Sequence, residues 1–269
     1  MKTTCTGNTS RRRFLTAAGV STAAALIHPR ELIAGEVRPL PNSKAATMPP
    51  SPLAFSNSDT AVVFIDPQND VLSEKGLSWP LVRESLKENN TIANMERIFK
   101  TARAQGFEVF ISPHYFFPTD KGWKFNGPLE SDEAKDGLFA RKGRLSLDGF
   151  EGSGADWLAR FKPYIEDGKT IVVSPHRVWG PQTNDLVLQL RKRRISRIIL
   201  GGMLANMCVE SHLRELLEQG FEVAVVKDAT AGPKHPEWGN GYTAALINYS
   251  FLAHAVLTTD DTVKMMERG

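Results

Sequence analysis

From about residue 60 onward, apolar runs and helical patterns alternate along this chain. Ala61-Val62-Val63-Phe64-Ile65 is continuously apolar, as a strand covered on both faces must be. Residues 91–104 then carry apolar side chains at helical spacing, and Gly106 stops that helix. The alternation recurs. Strands are expected at Phe107-Glu108-Val109-Phe110-Ile111, at Thr170-Ile171-Val172-Val173, around Ile198-Ile199-Leu200, at Phe221-Glu222-Val223-Ala224-Val225-Val226 and at Ala255-Val256-Leu257. Helices are expected at 155–165, 185–194, 209–219 (ended by Gly220) and 241–252, with one more closing the chain. Residues 115–152 read as a long irregular insertion of Pro, Gly and aromatics. Strands that alternate with helices predict an α/β fold, a three-layer Rossmann-like sandwich with a parallel sheet flanked by helices.

The first 58 residues break this pattern. Ser10-Arg11-Arg12-Arg13-Phe14-Leu15 resembles the twin-arginine motif S-R-R-x-F-L. The apolar stretch that follows, 14–27, is shorter than the roughly 20 residues a membrane span needs. Residues 1–34 are therefore expected to be an export signal, cleaved near Ala34 at the imperfect small-residue site Leu32-Ile33-Ala34. The mature protein would be periplasmic or secreted, with no membrane span. Residues 35–58, rich in Pro, Ser and Asn, read as a linker or arm, and 59–269 as the folded domain.

Charge changes the picture little. The 269 residues carry a formal net charge of +3, but the first 34 hold five cations against one acid, so the rest is close to neutral. No nucleic-acid partner is implied. The run Arg191-Lys192-Arg193-Arg194 suits the solvated C-terminal end of a helix.

In open parallel sheets, ligands bind beyond the C-terminal ends of the strands. At those ends lie Asp66, then Ser112-Pro113-His114, then Ser174-Pro175-His176-Arg177, then Cys208, then Lys227-Asp228. Cys208 follows a strand and opens a helix, where backbone N–H groups are expected to stabilise a thiolate and lower its pKa. The only other cysteine, Cys5, lies in the expected leader, so Cys208 has no disulfide partner. A thiol beside a carboxylate and a cation can run acyl transfer: the carboxylate takes the thiol proton, the sulfur attacks a carbonyl, and backbone N–H groups hold the oxyanion. Asp66 is the candidate base, although a turn-capping role before Pro67 fits its position equally.

Ile65-Asp66-Pro67-Gln68-Asn69-Asp70 resembles the first-strand motif of the isochorismatase-like cysteine hydrolases. Gly202-Met203-Leu204-Ala205-Asn206-Met207-Cys208-Val209 resembles their nucleophile loop, and the segment from Gly220 to Ala229 is also similar. The likeness runs over about 60–262 and covers nicotinamidases and N-carbamoylsarcosine amidohydrolases. It implies a six-stranded parallel sheet and a catalytic Asp, Lys and Cys, with Asp66 and Cys208 as two of them. It also implies a non-proline cis peptide at Met203–Leu204 and an oxyanion hole from the N–H groups of Leu204 and Cys208. Family members often assemble, so a homo-oligomer is expected.

Two departures stand out. No lysine lies after the third strand, and Arg177 is the nearest cation, with His176 and Lys142 as substitutes; Arg177 reads equally as a surface or helix-start residue. An arginine could hold Asp66 but could not shuttle a proton. Nicotinamidases bind a metal through an aspartate and histidines after the second strand, whereas here only His114 is present. One histidine makes no site, so no metal and no cofactor are expected. Gln68, His114, Tyr115, Trp179 and Asn206 are expected to contact substrate, with Trp79, Phe116 and Trp123 as further aromatics. His212, one turn after Cys208, reads as a packed helix residue. The expected activity is hydrolysis of a C–N bond in a small non-peptide amide, carbamate or ureido substrate through an acyl thioester. A non-catalytic binding domain with this fold is the alternative; a vinyl-ether hydrolase is a weaker one, because such members lack the cysteine.

Overall fold

The computed structural model describes residues 53–269. The expected export signal and most of the arm lie outside them. Within the arm, Phe55 is already buried in the core.

Six parallel strands form one sheet: β1 (Thr60–Ile65), β2 (Glu108–Ser112), β3 (Ile171–Val172), β4 (Arg197–Met203), β5 (Glu222–Ala231) and β8 (Ala255–Leu257), in the order β3-β2-β1-β4-β5-β8. A small antiparallel hairpin, β6 (Lys234–His235) with β7 (Gly239–Asn240), stands apart. The alternation along β1 explains the layers. Val62 and Phe64 pack with Met95, Ile98 and Phe99 of α3 (Thr91–Gln105), Val82 and Leu86 of α2 (Trp79–Glu88) and Met266 of α9 (Thr259–Met266). Ala61, Val63 and Ile65 face the other way. They pack with Leu186 and Leu190 of α6 (Leu186–Lys192), Leu213 and Leu216 of α7 (Glu210–Glu218) and Ala245 and Tyr249 of α8 (Gly241–Leu252). Central strands with both faces covered must be apolar throughout, and all six residues of β1 are buried.

Besides the β6–β7 hairpin, three α-helices were not read from the sequence: α1 (Asn69–Leu72), α2, and α4 (Pro128–Asp136) inside the supposedly irregular insertion. The signal for α4 was present, with Pro128 at its first turn and Gly137 closing it at φ +82°. The helix expected over 155–165 shrinks to α5 (Lys162–Ile165). Side-chain bonds hold its expected first half in turns. Asp156 accepts from the N–H groups of Gly152 and Trp157, at 2.7 Å each, and Trp157 bridges to Gln68. No helix among the described residues is long and apolar enough to cross a membrane.

The chain runs from β1 outward through β2 to β3, then returns to β4 on the other side of β1. That reversal leaves a crevice at the carboxyl ends of β1 and β4, where doubly wound sheets bind ligands. Ile65 pairs with Gly202 there, and a Cβ on Gly202, whose φ is +109°, would run into the Ile65 backbone. Only glycine allows the two strands to approach so closely just before the site.

Candidate active site

Asp66 leaves β1 in the left-handed conformation, φ +50°, and its N–H donates to Ser112 O at 3.1 Å. Its buried carboxylate shares a cavity with the Cys208 thiol and meets His176, whose Nε2 lies 2.9 Å from Oδ1. His176 follows β3 as His114 follows β2, and the two continue the parallel pairing of those strands as bridge partners. Side chains of bridge partners share a face, so the imidazoles lie side by side, with ring centroids 4.9 Å apart.

Cys208 sits in one π-helical turn, Ala205–Val209, between β4 and α7. The Val209 N–H donates to Leu204 O at 3.2 Å across this wider turn, a form of helix often found at functional sites. The Met203–Leu204 peptide is cis, as the resemblance implied. His212 ties the turn to β2: its Nδ1 lies 2.7 Å from Cys208 O and its Nε2 2.9 Å from Ser112 Oγ. A carbonyl only accepts, so Nδ1 carries the proton and Nε2 accepts from the serine hydroxyl, which in turn accepts from Asn184 Nδ2. His212 is thus fully engaged as a packed strut.

The electrostatics follow from burial. Desolvation is the largest influence on the Asp66 carboxyl and pushes it up to about 6. The three histidines are each pushed down to about 3, chiefly by burial, and are neutral. Burial also pushes the Cys208 thiol well above its ordinary value, and the Asp66 and Glu133 carboxylates add to this. The expectation of a lowered thiol pKa is therefore corrected. Full desolvation and two facing carboxylates outweigh one N–H and the partial charge of a helix start. The resting group is a thiol beside a base, not a thiolate.

The carboxylate and thiol open on a narrow cavity of about 30 Å³. Among the described residues, Val71, Leu81, Leu129, Leu138, Phe139 and Trp179 give it apolar walls; His114, Leu204 and Met207 also line it, with Ser78 and Glu133 as further polar groups. Of the residues expected to contact substrate, His114 and Trp179 line this cavity. Gln68 is instead a clamp: its amide nitrogen donates to His114 O at 2.9 Å and Ala155 O at 2.8 Å, and its oxygen accepts from His114 N at 2.9 Å. Tyr115 packs among Phe117, Phe150 and Trp157 under the Arg141 guanidinium. Asn206 lines a neighbouring cleft with Pro233 and Trp238. Neither Trp79, Phe116 nor Trp123 lines the cavity.

Arg177 also goes elsewhere. Its guanidinium pairs with Asp120, donates to Tyr115 O at 2.9 Å and lies over the rings of Phe117 and Trp123. It pins the insertion, and the side chain that bonds Asp66 is its neighbour His176. Successive residues of an extended segment point to opposite sides, so one of the two can reach the site and the other cannot. Glu133, on α4, was not anticipated at all.

Asp66, His114 and His176 each offer one ligand atom, and these atoms lie within 4.8 Å of one another. Neither ring nitrogen of His114 has a hydrogen-bond partner among the described residues. The expectation of no metal rested on a single histidine, but the fold supplies a second. Two imidazoles and a carboxylate suit a zinc-like cation. Binding it there would take the Asp66 carboxylate away from the thiol.

Comparison with known proteins agrees with this geometry. The isochorismatase domain model matches residues 60–261. The ureidoacrylate amidohydrolase RutB of Rhizobium rhizogenes is 29% identical over 209 residues, covering 73% of this chain and 81% of its own. A cysteine hydrolase from Pseudomonas syringae pv. phaseolicola has the same fold at 19% identity and a TM-score of 0.66, covering 81% of this chain and 98% of its own. The N-carbamoylsarcosine amidase of Thermoplasma acidophilum has it at 18% identity and a TM-score of 0.54, covering 75% and 97%. A match spanning the whole sheet, from the strand before Asp66 to beyond β8, shows that the chain belongs to the isochorismatase family of hydrolases.

Proposed function

We propose that this protein is a cysteine hydrolase that cleaves a C–N bond of a small non-peptide amide, carbamate or ureido compound. The observation that carries the reading is the buried Cys208 thiol and Asp66 carboxylate facing one cavity at the crevice between β1 and β4. A carboxylate poised near 6 is ionised at neutral pH yet basic enough to take a proton in a transition state. As the Cys208 sulfur bonds to the substrate carbonyl carbon, Asp66 takes the thiol proton. The carbonyl oxygen gains the negative charge and is held by backbone N–H groups, for which Leu204 and Cys208 are the candidates. Asp66 returns its proton to the nitrogen as the C–N bond breaks, which frees the amine or ammonia and leaves an acyl thioester. Water attacks that thioester, giving a proton to Asp66, and the thiol leaves with the proton restored.

In this reading His176 stands where the resemblance places a lysine. Being neutral, it donates Nε2–H to Asp66 and fixes the orientation of the carboxylate without a permanent cation. Relatives named as an amidohydrolase and an amidase support the bond type. A screen for ammonia release from primary amides and ureas, with intact-mass detection of an acyl adduct, tests it. Hydrolysis that survives Cys208→Ala, or no hydrolysis across the panel, sinks it. The twin-arginine-like segment supports export. Fractionation of cells expressing the full chain, with and without Arg11→Lys and Arg12→Lys, tests that separately.

A further inference from the structure

Glu133 is the one acidic group of the cavity that the reaction above does not use. It sits in the middle of α4, is 7% exposed, and lines the same cavity as Cys208 and Asp66. Its carboxyl makes no side-chain hydrogen bond and no ion pair among the described residues. A buried carboxyl with nothing to bind is costly, and most such groups in folded proteins have a partner. Its neighbours offer none: Leu129 lies one turn before it on α4, and Leu138 and Phe139 lie beside it on the cavity wall. The wall holds no lysine or arginine among the described residues. Arg177, the cation closest in sequence to the site, is committed to Asp120. The cavity therefore presents two carboxyl groups, of which Asp66 is ionised at neutral pH, and no positive charge.

Resting on the hydrolase reading, we infer that Glu133 is a substrate-recognition group that selects amides bearing an N–H donor group, ureido or ammonium, beyond the scissile bond, and rejects amides bearing a carboxylate there. A nitrogen donor would supply the hydrogen bonds the carboxyl lacks. A substrate carboxylate would instead face the ionised Asp66 with no cation to offset the repulsion, at a depth where water screens it poorly. Ureidoacrylate, after which the curated relatives are named, carries such a carboxylate. This chain would then share the family's bond chemistry but not that substrate. Burial pushes the Glu133 carboxyl up to about 8, and an ammonium bound beside it would draw it back to the ionised form.

Three amides of matched length test the inference: β-alaninamide (ammonium), propionamide (uncharged) and succinamate (carboxylate). Ammonia release by the wild type should give kcat/KM highest for β-alaninamide and lowest for succinamate, with at least about a tenfold span. Glu133→Gln should compress that span, and Glu133→Lys should invert it. Succinamate equal to or better than β-alaninamide in the wild type overturns the inference, as does an order that Glu133→Gln leaves unchanged. If none of the three is hydrolysed, ligand-observed NMR binding to the wild type and Glu133→Gln decides independently. Preferential binding of β-alaninamide that depends on Glu133 upholds recognition while the hydrolase reading fails; no binding, or binding indifferent to Glu133, overturns recognition too.

Discussion

His176 Nε2 lies 2.9 Å from Asp66 Oδ1, with both side chains buried, while the guanidinium of the next residue, Arg177, is bound to Asp120. The cation nearest in sequence to the site is thus a structural strut, and a neutral imidazole holds the Asp66 carboxylate. Replacing each in turn should separate the two roles. His176→Ala should lower kcat by roughly 10²-fold or more, with little loss of stability beyond that of a core vacancy. Arg177→Ala should leave Asp120 buried without its partner and cost about 3–5 kcal/mol of stability, while the folded fraction keeps its turnover. Thermal melts alongside turnover per folded molecule check both.

Asp66 raises the thiol's pKa and, in the proposed reaction, accepts its proton, so its removal should move two observables in opposite directions. In Asp66→Asn the Cys208 thiol loses a facing negative charge. Its alkylation by iodoacetamide should begin at lower pH than in the wild type. Hydrolysis should nevertheless fall by roughly 10²–10⁴-fold, because the base is gone. A variant that alkylates faster and also hydrolyses faster would refute the assignment of Asp66 as base.

The pH profile follows from the same carboxylate. Protonated Asp66 cannot take the thiol proton, and its carboxyl is raised to about 6. Activity, read as kcat/KM, should therefore rise as pH increases through about 6 and fall away below it. A rise centred near 4 would mean that the carboxylate is solvated when the substrate-free enzyme works.

Glu133 should leave a mark on stability. Its folded-state pKa of about 8 lies above the ordinary carboxyl value, so the folded protein holds this proton more tightly than the unfolded chain does. Stability contributed by the protonated form is fully present below about 4 and is lost as pH rises towards 8. Glu133→Gln should therefore match the wild type near pH 4 and exceed it by roughly 1–3 kcal/mol at pH 8. Chemical denaturation at the two pH values measures the difference.

Metal should inhibit rather than activate. The Asp66, His114 and His176 donors can take a zinc-like cation, but only by occupying the carboxylate that the thiol needs. Dialysis against a chelator should leave turnover intact, and added zinc should lower it, with His114→Ala relieving the inhibition. Turnover that disappears on chelation and returns with zinc would reverse this view of the three residues.

Much of this was legible in the sequence. Continuous apolar strands, helical spacings and stop glycines placed the strands of the sheet and most of its flanking helices, because a strand covered on both faces admits few polar residues. The order of strand ends put Asp66 and Cys208 on one edge, because parallel strands separated by helices all end on the same side. The tertiary structure alone decided how the side chains pair. Whether His176 or Arg177 meets Asp66 depends on which side of an extended segment each faces. Whether the thiol is ionised depends on how deeply Cys208 is buried and how many carboxylates face it. Gln68 became a clamp because an insertion from far along the chain packs against it, and Glu133 reached the cavity on a helix of that same insertion. Long-range contacts of this kind have no period and no fixed spacing, so a linear pattern cannot carry them.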